Sequence, residues 1–212
     1  MAAPSDNSLE SSFYNSSRPT GRVIIDIGTG NGLFVYQSAR QNPDKFYIGI
    51  DANVQPLKKI SERIYRKPSK GGADNVLFIQ SAAEDLPREL DGVASEVHIH
   101  FPWGSLLKAL ATGDPHILSH IRKLCEVNAS LEVVIGLDPK RDATEIARLG
   151  LEFPTLSFID ADLTSRYRAL GFEIKERGLI SSEDWPALKS SWAKRLQGQS
   201  TRPLIYWIAT AL

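Results

Sequence analysis

Val23-Ile-Ile-Asp-Ile-Gly-Thr-Gly-Asn-Gly32 is an apolar, β-branched run that delivers one acid, Asp26, and then a glycine at every second position. Residues of this kind favour a buried strand. Glycines at 28, 30 and 32 supply the backbone freedom and bare surface that a tight turn against a ligand requires. The stretch predicts a strand, a glycine-rich turn and a helix start. A turn that seats a pyrophosphate more usually spaces its glycines G-x-G-x-x-G and keeps acids away from the phosphates. Here the spacing is G-x-G-x-G with Asp26 in front, which suits a cationic ligand without phosphate. S-adenosylmethionine, with its sulfonium and ammonium, is such a ligand. Asp26, Gly28, Thr29, Gly30 and Gly32 are therefore read as its cradle.

Outward from this turn, β-branched runs alternate with helical patterns. A helix is expected over about Gly32 to Gln41, a strand over Phe46 to Ile50 ending in Asp51, and a helix over Gln55 to Arg66. Strands follow at Val76 to Gln80 and Val97 to Phe101. A helical stretch covers about Ser105 to Glu126, broken near Gly113–Pro115, and Leu131 to Leu137 is the fifth strand. Pro139 to Ile159 reads as a long irregular link. A helix (Leu163 to Leu170), a strand (Phe172 to Gly178), a helix (Glu183 to Leu196) and a strand (Leu204 to Thr210) complete the pattern. Alternation at this spacing implies an α/β fold with a parallel sheet and ligands at the strands' carboxyl ends. The expectation is a class I Rossmann-like methyltransferase: a seven-stranded, mostly parallel sheet with an antiparallel last strand. Residues 1–20 read as a disordered leader, and 21–212 as one domain with inserts at about 138–162 and 181–202.

The strand ends supply further candidates. Asp51 stands where a carboxylate can take the ribose hydroxyls, with Ala52 beside it. Gln80 to Pro87 follows the third strand, and the Ala83 amide and Glu84 side chain are candidates to line the adenine. After the fourth strand, Trp103 sits between Pro102 and Gly104, which force a turn and leave the indole at the rim. Trp192 lies beside basic residues in the late helical segment. Two rim indoles can sandwich a base turned out of its stack, at roughly 1–3 kcal/mol per stacked base. Adenine N1 needs no general base, because its lone pair attacks a methyl group directly. The product ring is cationic, and aromatic faces stabilise a cation. No acid–base dyad is evident: His98 and His100 read as fillers of alternating strand positions, and Trp185 and Trp207 as packing residues.

Composition bounds the rest. The chain has 212 residues, 25 basic and 25 acidic, and one cysteine. That excludes an internal disulfide framework and fits a reducing compartment. Cys125, in an apolar run, reads as a buried structural thiol. No apolar stretch approaches the ~18–20 residues that span a bilayer, so a cytoplasmic, monomeric protein without membrane contact is expected. Zero net charge argues mildly against a nucleic-acid partner, but the charges are uneven. Six basic residues and one acid lie between Lys58 and Lys70, and four basic residues and no acid between Lys189 and Arg202.

Together, several blocks carry a family resemblance. Asp26-Ile-Gly-Thr-Gly-Asn-Gly32, Ala39-Arg-Gln-Asn-Pro43, Lys67-Pro-Ser-Lys-Gly-Gly72, Pro102-Trp-Gly-Ser-Leu-Leu107 and Ser191-Trp-Ala-Lys-Arg-Leu196 run in order along the chain. The sequence resembles the aminoglycoside-resistance 16S ribosomal RNA (adenine-1408, N1) methyltransferases, which often carry Asp where Asn31 stands. The resemblance implies that Trp103 and Trp192 stack on a flipped adenine, and that Ser105 and Ser190 help close the cofactor pocket. It also implies that Lys67, Lys70, Lys194, Arg195 and Arg202 dock on 16S rRNA within the assembled 30S subunit. In simple α/β topology the Lys67–Gly72 link lies at the end of the sheet opposite the cofactor, where it can grip only RNA backbone. The alternatives are a tRNA guanine-N7 methyltransferase, a small-molecule methyltransferase, or a non-catalytic module that holds the cofactor or RNA.

Overall fold

The computed structural model describes residues 21–152, 159–180 and 204–212. Its strands are β1 (Val23–Ile27), β2 (Phe46–Asp51), β3 (Val76–Gln80), β4 (Ala94–His100), β5 (Cys125–Gly136), β6 (Phe172–Ile180) and β7 (Leu204–Ala211). Its helices are α1 (Leu33–Gln41), α2 (Lys58–Ile64), α3 (Gly104–Thr112), α4 (Pro115–Leu124), α5 (Ala143–Leu149) and α6 (Thr164–Ala169). One seven-stranded sheet runs β3-β2-β1-β4-β5-β7-β6, with β7 antiparallel to both of its neighbours. The expected α/β class and sheet are therefore present. The order reverses between β1 and β4, which opens the ligand crevice at their carboxyl ends.

Each strand contributes alternate residues to the two faces. Ile25, Val97, Val133 and Trp207 point into the larger core, under α3, α4 and α6. Ile24, Tyr47 and Val76 point into a smaller core under α1 and α2. Trp207 is fully buried and meets Tyr167 edge-on at 6.0 Å, while the Tyr167 hydroxyl donates to Leu110 O at 3.2 Å. That matches its reading as a packing residue; Trp185 lies outside the described residues.

Among the boundaries that differ from the sequence expectation, three matter most. The helix read to run on to Glu126 ends at Leu124, and β5 begins at Cys125. Cys125 already pairs with Ala94, and the register then shifts, with Asn128 at φ 66°. Such a bulge hides a strand's period of two. The link from Pro139 to Ile159 contains α5. Phe101, expected in β4, lies beyond it at φ 54°, outside the strand region.

Cys125 is 4% exposed, its thiol donates to Ile121 O at 3.4 Å, and burial pushes its pKa up to about 12. A thiol-specific disulfide reagent should therefore leave the native protein unlabelled and titrate one thiol after denaturation. Fast labelling of the native protein would contradict this packing.

Candidate active site

The glycine turn is fixed from both sides. Gly28 N and Thr29 N both donate to Ile50 O, at 2.8 and 3.0 Å, which pins the turn to the end of β2. Gly30 N donates to Asp51 Oδ2 at 2.7 Å, and Asn53 N donates to Asp51 Oδ1 at 2.8 Å. Asp51 thus organises the turn from the end of β2. Gly28, Gly30 and Gly32 all have positive φ. A Cβ at Gly30 would meet nothing within 4 Å, so this part of the turn faces open space. A Cβ at Gly32 would lie 2.5 Å from the Phe78 ring and 2.9 Å from Ile60. Gly32→Ala is expected to cost about 2–3 kcal/mol in urea unfolding, from left-handed strain and overpacking. A loss below about 0.5 kcal/mol would contradict it.

Asp26 is buried at 4% exposure, and desolvation raises its pKa above the ordinary carboxylate range. A carboxyl in that setting is held ionised by a cation brought to it. Ala83 is buried and Glu84 half-buried after β3, while Ala52 is exposed beside Asp51. These positions fit S-adenosylmethionine: an open glycine turn, a buried acid for its cationic end, and Asp51 for its ribose. A cleft of about 680 Å³, lined by Gln80, Asp85, Arg88, His120 and Lys123 among others, shares none of Asp26, Asp51 or Trp103.

The end of β4 carries the second half of the site. Phe101, in the left-handed region, redirects the chain, and its ring lies close over Gly136, where a Cβ would approach it at 3.1 Å. Strained backbone of this kind collects at functional sites. Trp103 precedes α3 and is 51% exposed, and Ser105 is exposed one residue inside that helix. On the same helix Leu106 would lie 3.5 Å from a Cβ at Gly28. The start of α3, which follows the exposed indole, therefore lies beside the glycine turn. Ser190, expected to help close the cofactor pocket, Trp192, expected to stack on the base, and Lys194, Arg195 and Arg202, expected to dock on the RNA, lie outside the described residues.

The structure adds two features that sequence reading missed. The first is α5, which packs against α3. Arg148 on α5 is exposed, reaches 4.0 Å from a Cβ placed at Gly104, and forms a two-pronged ion pair with Glu145 at 2.6 and 2.7 Å. The second lies on β4 and β5. His100 Nε2 is 2.6 Å from Glu132 Oε1, and His98 lies between Glu132 and Glu96. Burial alone would lower the His98 imidazole, but the two carboxylates outweigh it and raise its pKa to about 9. The His100 hydrogen bond, followed by His98, holds Glu132 well below the usual carboxylate range. These histidines do occupy alternating positions, as expected. Nothing in the local pattern announces a partner 32 residues away.

Lys67 precedes a single 3₁₀ turn, Pro68–Lys70, that Lys70 ends, and both are exposed. The loop is built rather than slack: the Tyr36 hydroxyl donates to Gly71 O at 2.7 Å, and the Arg63 guanidinium lies 4.9 Å from the Tyr36 ring centre. Gly72 fits because a Cβ would fall 1.6 Å from Arg66 O. Since the loop leads into β3, it sits at the end of the sheet away from the crevice.

Known proteins match this architecture over nearly its whole length. The NpmA family model, 16S rRNA (adenine(1408)-N(1))-methyltransferase, matches residues 7–211. The chain belongs to the 16S rRNA (adenine(1408)-N(1))-methyltransferase family. An Escherichia coli enzyme of that name is 38% identical over 179 residues, covering 82% of this chain and 80% of its own. The crystal structure of the aminoglycoside resistance methyltransferase NpmB1 is 40% identical, with a TM-score of 0.79 over 100% of this chain and 95% of that one. A mutant family member from Catenulisporales acidiphilia, crystallised with its cosubstrate SAM, is 31% identical, with a TM-score of 0.83 over 99% and 93% of the two chains. The methyltransferase family match spans the glycine turn, the Trp103 turn and the late segment alike, which favours the ribosomal reading over the tRNA alternative.

Proposed function

We propose that this chain transfers the methyl group of S-adenosylmethionine to N1 of adenine 1408 in 16S rRNA, within the 30S subunit, and so protects the ribosome from aminoglycosides. The observation that carries the reading is Trp103, half exposed on a strained turn beside the glycine loop. The cofactor supplies an electrophilic sulfonium methyl when bound. Asp26 and Asp51 then hold its charged and ribose ends, the Ala83 amide and Glu84 line its adenine, and Ser105 and Ser190 close over it. Trp103 and Trp192 clamp the flipped base so that the N1 lone pair lines up with the methyl carbon. No side chain needs to remove a proton. The work is positioning, plus the attraction of the indole faces for the positive charge that builds on the ring.

RNA contacts fall into two groups. Lys67 and Lys70 grip phosphates remote from the target base, and Lys194, Arg195 and Arg202 lie nearer in sequence to Trp192. Contacts to phosphate position a substrate without reading its sequence, so such a divided surface suits a large folded RNA. We place the enzyme in the cytoplasm as a monomer; among the described residues no helix is long and apolar enough to cross a membrane. Labelled cofactor offered with 30S subunits, naked 16S RNA or tRNA tests the substrate directly. Label is expected in the 30S arm. Label confined to tRNA would replace this reading with the guanine-N7 one, and cofactor binding with no transfer to any RNA would leave a binding module.

A further inference from the structure

We propose that His98, His100 and Glu132 form a binding site for one first-row divalent cation of the Zn²⁺ class. His98 and His100 are two apart on β4, so both imidazoles stand on the same face of the sheet. Glu132 of β5 is the register partner of His98 and lies on that face as well. One ligand atom from each residue lies within 4.8 Å of the other two. Tetrahedral zinc, with bonds of 2.0–2.1 Å, separates its ligand atoms by about 3.3 Å. The observed spacings, 2.6 Å from His100 Nε2 and 3.5 Å from His98 Nδ1 to Glu132 Oε1, bracket that value.

The surroundings resemble those of a ligand set. His98 Nδ1 is buried and faces Glu132 Oε1 at 3.5 Å, at most a weak hydrogen bond. Its other nitrogen, Nε2, lies 3.4 Å from Glu96 Oε2, the carboxylate–imidazole arrangement that orients a metal-bound histidine. Glu96 is in turn held by Arg22 at 3.2 Å and Lys45 at 3.7 Å. The Phe34 ring packs on both imidazoles, at 5.7 and 5.2 Å, and gives the site an apolar wall. Two imidazoles and one carboxylate suit zinc, cobalt or nickel better than calcium or magnesium. The Glu132 side chain stays 31% exposed, so an ion reaches the cluster from solvent on that side. A bound cation would staple β4 to β5 beside Asp26. This inference is independent of the RNA target.

The test uses the full chain without a polyhistidine tag, stripped with chelator and titrated at mildly alkaline pH, where protons compete least for the imidazoles. Co²⁺ is expected to give the intense visible bands of a tetrahedral site at one equivalent per chain. Zn²⁺ is expected to displace it and, at about 100 times its Kd, to raise Tm by about 5–10 °C. His98→Asn with Glu132→Gln should weaken Co²⁺ binding about 100-fold or more, and Glu96→Gln alone, which spares all three ligands, about 10-fold. Circular dichroism checks that each variant is folded; if the double variant is not, Glu96→Gln decides. No tetrahedral spectrum, or affinity unchanged in the folded variants, as binding at the separate His116–His120 pair would give, overturns the proposal.

Discussion

Trp103→Ala lowers the rate of methyl transfer to 30S subunits by about 5- to 150-fold and leaves cofactor affinity within about twofold. The range follows from the roughly 1–3 kcal/mol that stacking a base on an aromatic ring contributes, at 1.4 kcal/mol per tenfold change. The split follows from geometry. The indole is half exposed just before α3, whereas Leu106, one turn further into that helix, lies close to Gly28 of the glycine loop. On the proposed roles, truncating the indole removes the wall for the base and leaves the floor for the cofactor intact. Trp103→Phe should recover much of the loss, since a smaller aromatic face still attracts a ring that turns cationic. Equal losses in cofactor binding and turnover would mean that Trp103 holds the turn and not the base. Single-turnover methylation beside calorimetric cofactor titration separates the two.

Asp51→Ala shows the opposite pattern, weakening S-adenosylmethionine binding by about 10- to 150-fold. A hydrogen bond to a charged group contributes about 1.5–3 kcal/mol. Asp51 also accepts from the amides of Gly30 and Asn53, at 2.7 and 2.8 Å, so its removal frees the turn as well. Asp51→Asn keeps one acceptor oxygen for the turn and should lose less. Saturating cofactor is expected to restore most of the turnover, because the base clamp is untouched. A variant that binds normally would place the ribose elsewhere.

Much of the fold was legible because its signals are local. β1, β2 and β3 announce themselves as β-branched runs, and the glycines at 28, 30 and 32 fix where the chain turns. The Pro102–Gly104 frame around Trp103 is also a local signal, and it predicts the exposure observed. What escaped depends on partners distant in sequence. Cys125 and Glu126 look like the end of the α4 helix until Cys125 pairs with Ala94 and Asn128 bulges. Only seven residues of the link after Pro139 form α5, which packs against α3 and has Leu149 as its one buried residue. The Phe101 ring packs over Gly136 of the next strand, and strand register assembles the His98–His100–Glu132 cluster. Neither pairing leaves a trace in the order of residues along the chain. Of the two proposed base clamps, Trp103 has its place in the described fold, while Trp192 lies outside the described residues.

The most direct measurement is the identity and position of the modified nucleoside. After incubation of 30S subunits with the enzyme and S-adenosylmethionine, primer extension should stop at adenine 1408, and mass spectrometry of digested RNA should find 1-methyladenosine. A methyl group on N6 of adenine, on N7 of a guanine, or at any other position would contradict a site that relies on a bare ring nitrogen attacking between aromatic faces.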